Sequence, residues 1–244
     1  MINFFIFKER EEEKMLNIPM NTTSAISINS LTQLSGGTQF SQNQQSTSNS
    51  KHQGNGVHLK KGQKTNLANE NGTALTDLQI GLGWDILNQA CDLDASAFML
   101  GQNNKIIGDD WFVFYGQEIS PDGSIRHSGD SQGQSEGDDE VIDIDLQKVN
   151  TQVQKIVFVV TINEALKKRL NFSMVNNAYV RVIDKLTRHE IAKFMLTDYY
   201  PNVTSMVVGE VYRHNGQWKF NAVGDGVAKD LAGLCEMYGV NVAD

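Results

Sequence analysis

Cysteine is scarce in this chain: Cys91 and Cys235 are the two among 244 residues, far apart and at no CxxC or zinc-ligand spacing. That excludes a disulfide framework or a structural zinc held by thiolates, and two reduced thiols in a cytosolic protein are the expectation. Long apolar runs are missing as well. The strongly apolar stretch near the start, residues 2–7, has no basic segment before it and runs straight into the charged residues 8–14. It is too short for a signal peptide and far too short to span a bilayer, so neither secretion nor membrane insertion is expected. Catalytic signatures are absent too. His52, His58, His127, His189 and His214 form no HExxH, and there is no GxSxG elbow and no GxxxxGK[ST] loop. Gly81-Leu82-Gly83 is an isolated GxG in a strand pattern, better explained by close backbone packing beside Trp84 than by a nucleotide. A binding protein rather than an enzyme is expected.

What the chain has is acid. The formal charge is -8, which repels nucleic acid and anionic lipid and suits divalent cations or basic partners where the acids cluster. Residues 21–56 are dominated by Ser, Thr, Asn, Gln and Gly, a composition that buries too little apolar surface to offset the entropy of ordering it. Residues 1–56 are therefore expected to be a low-complexity tail, disordered or acting as an interaction arm through Phe4, Phe5 and Phe7. Residues 57–244 are expected to form the globular domain.

Within that domain, short β-rich runs separated by turn residues predict an all-β fold, a β-sandwich of two mainly antiparallel sheets. The expected strands are 78–84, 95–100, 111–115, 141–146, 156–162, 179–183, 190–196, 206–212 and 217–223. Asn215-Gly216 is the chemistry of a two-residue type I′ hairpin, and Ser120-Pro121-Asp122-Gly123 is a second turn signal. A short helix is expected over 163–170. A C-terminal helix should carry Val227, Leu231, Leu234, Cys235 and Tyr238 on one face, capped by Asp225 and ended by Gly239. That apolar stripe, Cys235 included, is expected to be core.

From Asp122 to Asp145 there are eight carboxylates (Asp122, Asp130, Glu136, Asp138, Asp139, Glu140, Asp143, Asp145) against a single Arg126. Acids crowded in a tight loop repel unless a cation neutralises them, and hard oxygen donors at this density suit calcium. Asp143 and Asp145 alternate with apolar residues and belong on the solvent face of a strand. Asp92-Leu93-Asp94 is a second group, whose carboxylates two apart on an extended chain point to the same side. We pair it with the acidic loop. The alternative is a solvated acidic loop with no ligand. An EF-hand is excluded, since counting from Asp130 places Ser135 where the loop needs Gly and Val141 where it needs Glu. His127, near these acids, is expected to be an exposed loop residue. Asp92 next to Cys91 is expected to raise the thiol pKa.

Short segments along the domain, Asn171-Phe172 among them, carry a resemblance. Lys61-Gly62-Gln63-Lys64, Gly81-Leu82-Gly83-Trp84-Asp85, Asp92-Leu93-Asp94-Ala95-Ser96, Phe112-Val113-Phe114-Tyr115, Ser120-Pro121-Asp122-Gly123-Ser124 and Gly137-Asp138-Asp139-Glu140 are continued by Lys155-Ile156-Val157-Phe158, Gly209-Glu210-Val211-Tyr212-Arg213-His214 and Trp218-Lys219-Phe220. In this order they resemble the TerD (tellurium-resistance, stress-response) family across essentially all of 60–240. The resemblance implies a cytoplasmic β-sandwich that binds calcium in acidic loops. Carried over, it implies Asp92, Asp94, Asp130, Asp138, Asp139 and Glu140 as side-chain ligands of two calcium ions. Asp122 is a weaker candidate, because the turn already accounts for it. Ser131 stands where the family usually has Asn, and the loop is one residue shorter, which would weaken one site. The expected partners are other stress-response or tellurium-resistance proteins, met in part at the inner face of a membrane, with no nucleic acid. A calcium-dependent binder of a small phosphorylated ligand such as a nucleotide, or a metal-dependent enzyme, is the alternative function.

Overall fold

The computed structural model describes residues 56–129, 137–197 and 201–242. The expected tail, and Asp130 with the loop that follows it, lie outside them.

Among the described residues the strands form two six-stranded sheets. Sheet 1 runs β1 (Val57–Leu59), β10 (Glu190–Met195), β9 (Val175–Asp184), β3 (Asp77–Ile86), β7 (Glu140–Asp145), β6 (Ile125–His127). Sheet 2 runs β2 (Lys64–Asn66), β12 (Gln217–Val227), β11 (Ser205–His214), β8 (Lys155–Ile162), β4 (Leu93–Leu100), β5 (Phe112–Val113). Every pairing is antiparallel except that of β1 with β10. The expected all-β sandwich is the fold.

The residue alternation explains the layers. On β7, Ile142 and Ile144 are buried while Val141, Asp143 and Asp145 are only half-buried, so the strand sends isoleucines inward and carboxylates outward, as expected for Asp143 and Asp145. Leu78, Ile80 and Leu82 of β3, Val180 and Val182 of β9, and Ile156, Phe158 and Val160 of β8 join one core between the sheets. Each such side chain contributes roughly 1.5–3 kcal/mol by leaving water. β4 and β8 are buried on both faces. The outward side of β4 is covered because Phe98 stacks on Phe112 at 4.4 Å and meets Tyr238 of the C-terminal helix at 4.6 Å.

The hairpin joining β11 to β12 turns at Asn215 (φ 49°) and Gly216 (φ 76°), the two positive angles a type I′ turn requires. Helix α1 (Ala165–Lys168) is shorter than the expected 163–170, stopped by left-handed residues on both sides, Glu164 and Arg169. Helix α2 (Leu231–Tyr238) ends at Gly239 as expected, but its cap is Asp230, whose side chain accepts from Gly233 N at 2.9 Å. Asp225 and Val227 belong to β12 instead, where Asp225 pairs with Lys61 at 2.8 Å. The strand continues that far because β11 still offers ladder partners up to Val227. Strands β1, β2 and β6 span three residues each, too short for a two-residue period to show.

Candidate functional site

The acidic segments meet at one end of the sandwich. Glu140 opens β7 and points inward, on the same side as Ile142, and is buried. Its Oε2 accepts the backbone N–H of Ala95 at 2.6 Å, a bond from sheet 1 to sheet 2. The neighbours of these two residues in the chain are Asp94 on one side and Asp139 on the other, so the Asp92-Leu93-Asp94 segment and the Asp138-Asp139-Glu140 run are tied to each other here.

His127 completes this contact. It is 1 % exposed, at the inward end of β6, which corrects the expected exposed loop histidine: Ile125, Arg126 and His127 alternate in, out, in. Its Nδ1 accepts from Gly129 N at 3.0 Å, which leaves the proton on Nε2. Nε2 lies 3.1 Å from Ala95 O and 3.2 Å from Glu140 Oε2. A buried carboxylate, an imidazole and a strand edge thus close the end of the apolar core with satisfied polar groups.

Asp138 lies on the opposite, outward side of sheet 1 yet is also buried. Arg181 of β9 grips it with two bonds, Nε to Oδ1 and Nη2 to Oδ2, both 2.8 Å, and Tyr179 Oη donates to Oδ1 at 2.9 Å. The room for this carboxylate comes from β3. Gly81 and Gly83 face outward directly across from Arg181 and Tyr179 in the ladder, and a Cβ on Gly83 would lie 2.4 Å from the Tyr179 ring. Close packing is therefore the use of this GxG, as expected. Burial works against the Arg181 charge, but the Asp138 carboxylate outweighs it and raises the guanidinium pKa. Burial, followed by the Asp138 charge, pushes the Tyr179 phenol well above its ordinary value.

Asp139 is held differently. Its N–H donates to Leu82 O at 2.8 Å and its Oδ2 accepts from Trp84 N at 2.7 Å. Burial raises its pKa, the Trp84 N–H opposes that, and the charges of Asp85 and Asp138 add to the rise. Asp85, Asp138 and Asp139 line one cavity of about 380 Å³ together with Trp84, Asn177 and Tyr179. Asp85 accepts from Asn177 Nδ2 at 2.6 Å.

In the other group, Asp92 precedes β4 and its backbone oxygen accepts from Asn163 N at 2.7 Å. Asp94 is buried in β4 opposite Thr161. Ser96, two residues on and so on the same face as Asp94, has a buried hydroxyl with no hydrogen-bond partner among the described residues.

Asp122 stands apart. It sits beside Ser124, whose carbonyl accepts from Asp145 N at the far end of β7 from Glu140; five residue steps on a strand are about 17 Å. Burial resists its charge, but Ser124 Oγ and Ser120 Oγ at 2.7 Å, Ser124 N at 2.9 Å and Asn150 N at 2.8 Å outweigh that and lower its pKa. The structure assigns Asp122 to the turn. The Cys91 thiol is raised by burial rather than by Asp92, and burial pushes Cys235 up to about 12. Among the described residues, no group of three or more His, Cys, Asp or Glu side chains is placed so that it could hold a metal ion.

Arg181, Tyr179, Asp85 and His127 escaped the sequence reading of the site. Arg181 and Tyr179 were legible in principle, since Tyr179-Val180-Arg181-Val182 alternates and puts both on one face.

The pattern of the TerD domain matches residues 56–238. Tellurium resistance protein TerD of Serratia marcescens is 43% identical over 191 residues, covering 77% of this chain and 99% of that protein. Chemical-damaging agent resistance protein B of Clostridium acetobutylicum is 44% identical over 132 residues, covering 54% of this chain and 95% of the relative. A crystal structure of a homologue of telluride resistance protein (TerD) from Streptomyces coelicolor A3(2) superimposes with a TM-score of 0.51 at 20% identity, over 70% of this chain and all of the other. That likeness concerns the fold.

Proposed function

The chain belongs to the TerD family of tellurium-resistance and stress-response proteins, and on that premise we propose that it acts as a calcium-dependent binding module of that response, without catalysis of its own. The observation that carries the reading is the Ala95–Glu140 bond, 2.6 Å, because it ties the two acidic segments of the chain to each other at one end of the sandwich. The donor chemistry fits calcium. Carboxylates are hard oxygens of the kind calcium accepts in sets of six to eight, and here they fall into two sets: Asp94, with the Ser96 hydroxyl, on the outward face of β4, and Asp138 and Asp139 leading into β7. The buried Ser96 oxygen is in need of a partner, and the Asp139 charge is disfavoured first by burial and then by the charges of Asp85 and Asp138, the latter a cost that a cation would offset.

Asp92 and Asp94 would hold one ion and Asp139 with Asp130 the other; Asp138 and Glu140 would contribute subject to the internal partners described above. Bound calcium would supply positive charge and open coordination positions toward a partner. That partner is another protein of the same stress response, reached in the cytoplasm or at the inner face of a membrane. No helix among the described residues is long and apolar enough to cross a membrane.

Isothermal titration of metal-free protein tests this. Two calcium ions per chain are expected, with magnesium binding more weakly because it demands stricter octahedral geometry and sheds water reluctantly. A flat calcium titration would refute the reading.

A further inference from the structure

Residues 2–7 play no part in the acidic site, yet Ile2, Phe4, Phe5, Ile6 and Phe7 form an apolar run in a stretch that is otherwise mainly polar. Aromatic and β-branched residues of this kind favour an extended strand. Left in water, they make a patch that invites association.

The domain has a place for such a strand. A cavity of about 380 Å³ borders the ends of β1 and β10, walled by Leu59, Phe194, Met195 and Leu196. Lys60 and Lys61 line it too, and so does Gly224 of β12, where a Cβ would lie 2.8 Å from the Phe194 ring. Met195, 37% exposed, is the part of the apolar wall that faces water.

The same place has an unfinished sheet edge. β2 pairs with β12 only at 219–221, and Gly62 and Gln63 reach one residue further, to Ala222. β12 runs on to Val227, and among the described residues no strand lies on that side of its last part. An extended segment can take up such main-chain positions while its side chains fill an adjoining pocket, the mode of strand addition. The Lys61–Asp225 pair spans this edge at 2.8 Å, but both side chains are exposed, so it holds the edge closed only weakly.

We propose that residues 2–7 of the same chain dock here, as a strand added beside the open end of β12 with phenylalanine side chains in the cavity. The tail meets the domain at Gly56, only three residues before Leu59 of the cavity wall. Roughly fifty residues connect Phe7 to Gly56; a coil of that length averages about 35–42 Å end to end, against a radius of gyration of about 16 Å for a domain of this size. The segment therefore reaches the groove without strain. Glu11, Glu12 and Glu13 then fall about 13–20 Å beyond Phe7 at the rise of a strand, where their charge complements Lys60 and Lys61. A docked tail covers the apolar groove and completes the edge, and its release offers both to another chain.

Amide hydrogen exchange on the full chain tests this. A tether supplies an effective concentration of the order of millimolar, so a peptide-level affinity of about 0.1 mM already gives about tenfold protection. Replacing Phe4, Phe5 and Phe7 together by Ser should quicken exchange by that factor at 195–197 and 223–227, with no change at Phe158 in the middle of β8. Met195→Glu, an exposed position, should do the same by placing a charge in the groove. Equal rates in the wild type and the triple variant would overturn the proposal, as would a loss of protection elsewhere on the domain. Protection that grows with protein concentration would also overturn it, because the occupant would then be a second copy.

Discussion

A Cβ placed on Gly81 would lie 2.2 Å from Oδ2 of Asp138, so the absence of a side chain on β3 is what lets the carboxylate reach Arg181. The end of a mobile side chain would ordinarily step aside, but this one is tied at both oxygens. Gly81→Ala should therefore destabilise by roughly 1–3 kcal/mol, the usual cost of overpacking, as read by denaturant unfolding. Adding Arg181→Gln should make the alanine less costly than it is alone.

Adjacent acids should respond with opposite signs. Asp138→Asn unpairs the half-buried Arg181 and should lower stability in chelator, by up to about 3 kcal/mol for a pair of which one partner is partly solvated; at roughly 2–4 °C per kcal/mol the fall in melting temperature is easily read. Asp139→Asn removes a charge that burial and its acidic neighbours disfavour, and should raise the midpoint.

The pH dependence of Asp139 follows from its raised folded-state pKa. The native state then binds more protons than the unfolded chain, so its contribution is favourable below the unfolded value and is lost as pH rises through the folded one. In chelator, the difference in melting temperature between wild type and Asp139→Asn should widen as pH climbs through and past the carboxylate range. A constant difference would dissociate the substitution from charge.

Asp122 has the reverse sign. Its folded pKa is lowered, so its contribution is present above the unfolded value and disappears as pH falls through the folded one. Asp122→Ala should cost about 2–4 kcal/mol, reflecting several hydrogen bonds to one charge that do not add fully. Calcium stoichiometry should be unchanged, since Asp122 lies at the other end of β7.

His127 should matter to the seam between the sheets. His127→Phe leaves Glu140 without its imidazole partner and should lower stability by about 1–3 kcal/mol, the cost of an unsatisfied buried polar group. Hydrogen exchange at the Ala95 N–H should quicken more than at Phe158 N–H in the middle of β8, which reports on the core as a whole.

The sandwich was readable because its strands are long and patterned: β7 alternates isoleucine with aspartate, and the β11–β12 turn carries its Asn-Gly signature. Strands of three residues gave no such period. The acids of the site were legible as a cluster, but their individual duties were not. Asp138 and Asp139 look alike in sequence, and what separates them is Arg181, some forty residues away, crossing a strand whose glycines leave room. His127 was misread for a related reason: beside a charged neighbour and near a turn, nothing local reveals that a second sheet packs over it.

The chain's own order has a kinetic corollary. Strands β1 and β2, first in the domain, find their ladders only on β10 and β12, among the last. During synthesis they emerge well before the residues that will hold them, and at 5–20 residues per second, the typical elongation rate, that interval is on the order of ten seconds. Sheet 1 cannot be completed before β10 is made, nor sheet 2 before β12. Non-local pairings of this kind are slow to form, so the early strands must stay unpaired and soluble in the meantime. Their brevity, and the lysines in and beside them (Lys60, Lys61, Lys64), suit that wait, because short charged edges are poor templates for pairing with another chain.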